Sequence, residues 1–176
     1  MGIISERLFK TNTEVWTMMN EKEFTALAEA YMDMVYRIAL NVVGNRSDAE
    51  DTVQNVMLRL YKSAPVFESE QHAKHWLIRV TMNESKRIVA LPWKKREAEL
   101  DEAARSFAAE DSLQRSLLRQ VAELAPKYRV VLYLYYFEGY SVKEIGEILG
   151  RRVSTVQTQL ARGRDKLKEA LKEEAK

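Results

Sequence analysis

From about Glu23 to Val43 the apolar residues Phe24, Leu27, Ala28, Tyr31, Val35, Ile38 and Val42 recur at spacings of three and four, which predicts a helix with one buried face. Gly44 is a natural stop, since glycine adopts the left-handed conformation that ends helices. A second helix is expected to open at "SDAE", with Ser47 as its cap and Glu50 reaching back, and with Ala49, Val53, Val56, Leu60 and Tyr61 as its buried stripe. It should fade before Pro65, because the residue before proline resists helical angles. "APVFESEQHA" reads as a loop, followed by a third helix from about Ala73 to Ala90. There Leu77, Val80 and Ile88 turn inward, with Glu84 interrupting the stripe. His75, Arg79, Asn83 and Lys86 fall on the other side, a polar and mostly cationic face.

Leu91 and Pro92 close this first unit. Residues 93–111 are charged and segregated by sign, as expected of a flexible acidic linker. Beyond it, Leu113, Leu117, Val121 and Leu124 predict one helix, and Pro126 begins another carrying Tyr128, Val131, Leu132 and Tyr135. The stretch "SVKEIGEILGRRVSTVQTQL", Ser141 to Leu160, then gives two short periodic runs around Gly150. Ser141 and Glu144 have capping-box spacing. Val142, Ile145, Ile148 and Leu149 face inward on the first run, and Val156, Leu160 and Leu167 on the second. Ser154, Thr155, Gln157, Thr158, Gln159, Arg162 and Arg164 remain outward. Short polar side chains near a helix N-terminus suit phosphates, and Gln and Arg suit adenine and guanine edges. The alternative is a helical hairpin with a solvated polar face. The fold expected is all-α: two small helical domains joined by the linker, the C-terminal one containing a helix-turn-helix.

Composition narrows the function. The 176 residues are 46% hydrophobic and 31% charged, with 6 Gly and 3 Pro, enough for helical cores. Cysteine is absent, which excludes disulfides, thiolate catalysis and cysteine-ligated zinc. The net charge of +2 hides an uneven distribution. Lys74, Arg79, Lys86, Arg87, Lys94, Lys95 and Arg96 face only Glu84 in their stretch, and Arg151, Arg152, Arg162, Arg164, Lys166 and Lys168 only Asp165. Two separated basic surfaces suggest two contacts with a polyanion. The first twenty residues lack a signal-peptide core and a long apolar span, so a cytoplasmic protein is expected. No phosphate loop, nucleophile elbow or zinc-protease motif is present, so no enzyme is expected. No cofactor or metal is expected either: His72 and His75 have only Glu68 and Glu70 near them as further ligands.

Together these segments resemble the extracytoplasmic-function (ECF) sigma factors, the small two-domain branch of bacterial sigma factors that direct RNA polymerase to promoters. "SDAEDTVQNVMLRLYKS" resembles their polymerase-clamp segment, "HWLIRVTMNESKRIV" their minus-10 helix, and "LAPKYRVVLYLYYFEGYSVKEIGEILGRRVSTVQTQLARGRDKL" their minus-35 domain. The resemblance implies an N-terminal extension over 1–20, sigma region 2 over 21–92, the linker over 93–111 and sigma region 4 over 112–176. It implies that Asp48, Asp51, Gln54, Asn55, Leu58 and Arg59 face the clamp helices. It implies that the loop Val66, Phe67, Glu68, Ser69, Glu70 and Gln71 receives a flipped minus-10 base. His75, Trp76, Arg79, Asn83, Lys86 and Arg87 would line the single strand. Thr158, Gln159 and Arg162 would read the minus-35 groove beside Ser154 and Gln157, while Arg152, Thr155, Arg164 and Lys166 hold phosphates.

The implied partners are core RNA polymerase, through its clamp helices and flap, promoter DNA, and an anti-sigma factor, often membrane-bound. Family members commonly carry Glu where Asn55 stands and basic residues where Gln157 and Gln159 stand. The usual N-cap serine is replaced by Arg152, so the cap is expected to shift to Ser154 with Gln157 completing the box. A stand-alone helix-turn-helix regulator is the alternative function, and a protein-binding helical adaptor a third. The regulator would bind a palindromic duplex tightly without polymerase; the sigma reading expects little binding until polymerase is added.

Overall fold

A computed structural model describes residues 19–63, 65–90 and 120–174 of the chain. Its N-terminal helices are α1 (Glu21–Val43), α2 (Arg46–Ser63) and α3 (Glu70–Val89). Its C-terminal helices are α4 (Pro126–Tyr136), α5 (Val142–Leu149) and α6 (Val153–Glu174). No described residue lies in a strand. The predicted helix through Leu113 and Leu117, the linker 93–111 and nearly all of the N-terminal extension lie outside the described residues; residues 120–123 are helical.

Local chemistry sets the helix ends, not always where the sequence pattern placed them. Asn20 caps α1 by accepting from the Glu23 N–H at 2.9 Å, and Gly44 ends it at φ 82°. The reciprocal cap of α2 is Asn45 with Asp48: Asn45 Oδ1 accepts from the Asp48 N–H at 2.9 Å, and its amide donates to the Asp48 carboxylate at 3.0 Å. The expected Ser47–Glu50 box is therefore corrected, and Glu50 pairs with Arg46 at 2.7 Å instead. Helix α3 starts earlier than expected because Ser69 accepts from the His72 N–H at 3.0 Å. Glu70 and Gln71 thus belong to the helix and not to the loop.

In the C-terminal unit the Ser141–Glu144 box forms as expected, with Ser141 Oγ accepting at 3.3 Å and Glu144 Oε2 accepting at 2.8 Å. Gly150 makes the turn at φ 63°. The shift of the next cap to Ser154 does not occur. Arg152 takes the cap position through its backbone, its carbonyl accepting from Thr155 at 2.9 Å and Val156 at 3.2 Å, so α6 keeps its first half turn.

Helices α1, α2 and α3 pack around Val35, Ile38, Val56, Leu60, Leu77 and Ile78; α4, α5 and α6 pack around Val131, Leu134, Ile145, Ile148, Val156 and Leu160. Each such side chain contributes about 1.5–3 kcal/mol by leaving water. The two units also pack against each other, α1 on α4 and α3 on α5, in one continuous apolar cluster. Arg129 of α4 is only 7% exposed and donates from Nε to the Asn41 carbonyl of α1 at 2.8 Å. It also donates to the Ala122 carbonyl. Helix α1 has no basic residue in its last turn, so a cation from the other unit serves its negative end. Burial pushes the Arg129 pKa down, yet a guanidinium stays charged.

Candidate nucleic-acid interface

The cap residue Arg152 and, on the outer face of α6, Ser154, Thr155, Gln157, Thr158, Arg162, Arg164 and Lys166 are all exposed, with Gln159 half-buried beside them. Thr158 Oγ1 donates back to the Ser154 carbonyl at 2.8 Å, which leaves its methyl and its acceptor lone pairs outward. A concavity of about 280 Å³ separates α6 from the start of α4, lined by Lys127, Tyr128, Ser154, Thr155, Thr158, Gln159 and Arg162. No acid lines it. Lys127 and Tyr128 were not among the sequence candidates; the available signal was a lysine directly after a helix-opening proline.

Of the face His75, Arg79, Asn83 and Lys86 expected on α3, the last three form an exposed run, with Arg87 exposed beside them. Gln71 and His75, two turns and one turn before Arg79, face the C-terminal unit. The Gln71 amide donates to Glu144 at 3.2 Å, and the His75 ring lies 5.4 Å from that of Tyr140. Burial lowers the His75 pKa, with Glu144 and Glu147 opposing, and among the described residues its Nε2 has no hydrogen-bond partner. Burial raises the Tyr140 phenol to about 12, helped by Glu138 and Glu144. The Glu144 carboxyl is held below its usual range, first by its side-chain hydrogen bond with Ser141.

The loop before α3 is anchored from below. Phe67 is 2% exposed, edge-on to Trp76 at 5.8 Å and to His72 at 5.7 Å. Trp76 is itself half-buried against the core, whereas Val66, Glu68, Ser69 and Glu70 are exposed. Phe67 and Trp76 therefore shape the loop from within and leave its rim to the other four.

On α2, Asp51, Gln54, Asn55, Leu58 and Arg59 share an exposed surface, while Asp48 is half-buried in the helix cap. Leu58 stands out at 50% exposure. Arg59 pairs with Glu84 of α3 at 3.0 Å and Arg87 with the same carboxylate at 3.4 Å. Glu84 breaks the apolar stripe of α3 because it ties α3 to α2. Asn55, Leu58, Arg59, Lys62, Ser63, Glu84 and Arg87 line a second concavity of about 350 Å³. Arg87, expected on the DNA strand, thus sits among the residues expected on the clamp.

The sequence matches the family profile described as Sigma-70 region 2 over residues 27–90 and that described as Sigma-70, region 4 over residues 114–167. It is 31% identical over 156 residues to the RNA polymerase sigma-E factor of Streptomyces coelicolor, covering 85% of this chain and 86% of that one. The chain belongs to the ECF sigma factors. Its similarity to the ECF RNA polymerase sigma factor SigW of Bacillus subtilis is 28% identity over 173 residues, 88% of this sigma factor and 91% of the relative. Among solved structures, the sigma factor RpoE from Bartonella quintana, crystallised with the anti-sigma factor NepR, shares the fold. Its TM-score is 0.66 at 22% identity, over 86% of this sigma factor and 98% of that chain. An ECF sigma factor is an initiation factor: it binds core RNA polymerase and directs it to promoters.

Proposed function

We propose that this sigma factor divides promoter recognition between two weak grips that the polymerase carries. Residues 21–92 hold the clamp and the melted minus-10 strand, residues 93–111 link, and residues 112–176 hold the minus-35 duplex. Asp51, Gln54, Asn55, Leu58 and Arg59 bear on the clamp helices, with Asp48 setting the start of α2. Val66, Glu68, Ser69 and Glu70 form the rim that receives an unstacked base, with Gln71 beside it on α3; Arg79, Asn83 and Lys86 follow the strand, and Arg87 stands where that surface meets the clamp surface. Thr158, Gln159 and Arg162 meet base edges, while Arg152, Thr155, Arg164, Lys166 and Lys127 meet phosphates.

One observation carries the minus-35 assignment: the concavity beside an exposed helix-turn-helix face, lined among the described residues by Lys127 and Arg162 and by no acid. That face alone offers too little charge for tight binding, since sequence-independent affinity scales with phosphates neutralised. Attachment to polymerase makes each grip intramolecular and raises its effective concentration. Opening DNA costs about 1.4 kcal/mol per stacked step, and each captured base returns about 1–3 kcal/mol. The factor needs no chemistry of its own for this, only binding. Because Gln71 and His75 are engaged by Glu144 and Tyr140, capture at those two positions requires the units to part, as attachment to separate polymerase sites would make them do.

The fold neighbours RpoE and CnrH were solved with the anti-sigma factor NepR and with the cytosolic domain of CnrY. We extend that class of partner to this chain. The protein acts on the nucleoid in the cytoplasm; among the described residues no helix is long and apolar enough to cross a membrane. The test is run-off transcription with purified core polymerase on a genomic fragment library. Discrete start sites that vanish with Arg162→Ala support the assignment; transcription indifferent to Arg162→Ala and Asn83→Ala contradicts it.

A further inference from the structure

We propose that Arg151 decides which base Gln159 reads, by holding the Gln159 amide so that it offers donors and selects guanine over adenine. This rests on the assignment of α6 to the minus-35 groove. Arg151 leaves the turn just before α6, where its N–H donates to the Gly146 carbonyl at 2.8 Å. Its half-buried side chain runs along the helix, and its guanidinium donates from Nη1 to Gln159 Oε1 at 2.9 Å. The turn is fixed by close packing: a Cβ on Gly146 would stand 2.9 Å from the Arg151 carbonyl oxygen.

A glutamine with a free amide pairs with adenine through both ends, its oxygen accepting from N6 and its nitrogen donating to N7. Here the oxygen end is engaged by a cation, and charge-assisted bonds are about twice as strong as neutral ones. The amide is thereby held with its oxygen toward Arg151 and its NH₂ toward the groove. An adenine amino group reaching that oxygen would bring its positive hydrogens against the guanidinium. Guanine instead presents N7 and O6, two acceptors, to the Nε2 hydrogens and to the field of Arg151. Thymine offers a single acceptor and falls between. Among the described residues, no acid lines the concavity around Gln159 to turn the NH₂ away. Arg151 is in this sense a positioning residue.

The experiment uses holoenzyme assembled from core polymerase and the full chain, on a promoter pool randomised across the minus-35 element, with retained DNA sequenced. Wild type is expected to enrich guanine over adenine at one position, a preference that Gln159→Ala abolishes there and nowhere else. Arg151→Ala should cut the guanine-to-adenine ratio at that position by about fivefold or more, the low end of what one base-edge pair discriminates. Arg151→Lys should retain most of it. Gln159→Glu, which can only accept, should switch the preference toward cytosine and stands in if Arg151→Ala does not fold. An unchanged ratio in Arg151→Ala, a wild-type preference for adenine, or a Gln159→Glu variant that still selects guanine overturns the proposal. If Arg162→Ala also leaves every minus-35 position unaltered, the placement of α6 fails as well; if it does not, only the role of Arg151 does.

Discussion

Replacing Arg129 by methionine keeps an apolar stem of similar length and removes the guanidinium from the seam between the two units. Two carbonyl groups, Asn41 and Ala122, lose their donor, one of them near the α1 C-terminus. Hydrogen bonds from a charged group contribute about 1.5–3 kcal/mol each, and a cation at a helix C-terminus up to about 2 kcal/mol. Against this stands relief of the several kcal/mol it costs to desolvate a guanidinium. The net expectation is a loss of about 2–4 kcal/mol. Urea unfolding followed by far-UV circular dichroism measures it. The chain has 0 cysteines, so a dye pair at Glu29→Cys on α1 and Lys168→Cys on α6 reports the separation of the units without background labelling. Arg129→Met should lower stability and lengthen the dye distance together. A loss under about 0.5 kcal/mol with the distance unchanged would refute the role given to this residue.

The same dye pair should lengthen with Gln71→Glu, which sets two carboxylates against each other where Gln71 now donates to Glu144, while α3 helicity stays constant. His75 faces Glu144 and Glu147 with Arg79 and His72 nearby, and its pKa is lowered from 6.5, so the folded form binds its proton less readily than the unfolded one. Its contribution is therefore present above pH 6.5 and lost as pH falls through the lowered value; a urea series from about pH 7.5 to pH 5 should show this, and His75→Gln should flatten it. Leu58→Ala, on a side chain 50% exposed, should leave stability within about 0.5 kcal/mol yet weaken core polymerase binding about tenfold in a fluorescence titration. Gly146→Ala forces a methyl group against the Arg151 carbonyl at 2.9 Å and should cost about 1–3 kcal/mol in thermal unfolding.

What the sequence made legible was whatever depends on neighbours three or four residues away. The buried stripes of α1 and α3, the Ser141–Glu144 box, the Gly44 and Gly150 stops and the cationic run Arg79, Asn83, Lys86 all follow from local periodicity and capping chemistry. The misplaced starts have a common cause. Asn45, Ser47, Ser69 and Ser154 are all competent caps, and which one engages depends on where packing positions the first turn. Arg152 capped by backbone alone, which no side-chain rule anticipates. Glu84 looked like a flaw in a stripe because its partner Arg59 lies on another helix. Nothing local in the sequence marks Arg129, because the Asn41 carbonyl it serves lies 88 residues away. The roles of Lys127 and Arg151 have the same non-local origin: what they do depends on α6 lying beside them.

Promoter DNA binding by the purified chain, measured by fluorescence anisotropy with and without core polymerase, tests the central claim most directly. The chain alone should bind duplex no better than non-specifically, weaker than about 1 μM at physiological salt, and selective open complexes should form only once core is added. Tight, sequence-selective binding by the chain alone, or no association with core polymerase, would contradict it.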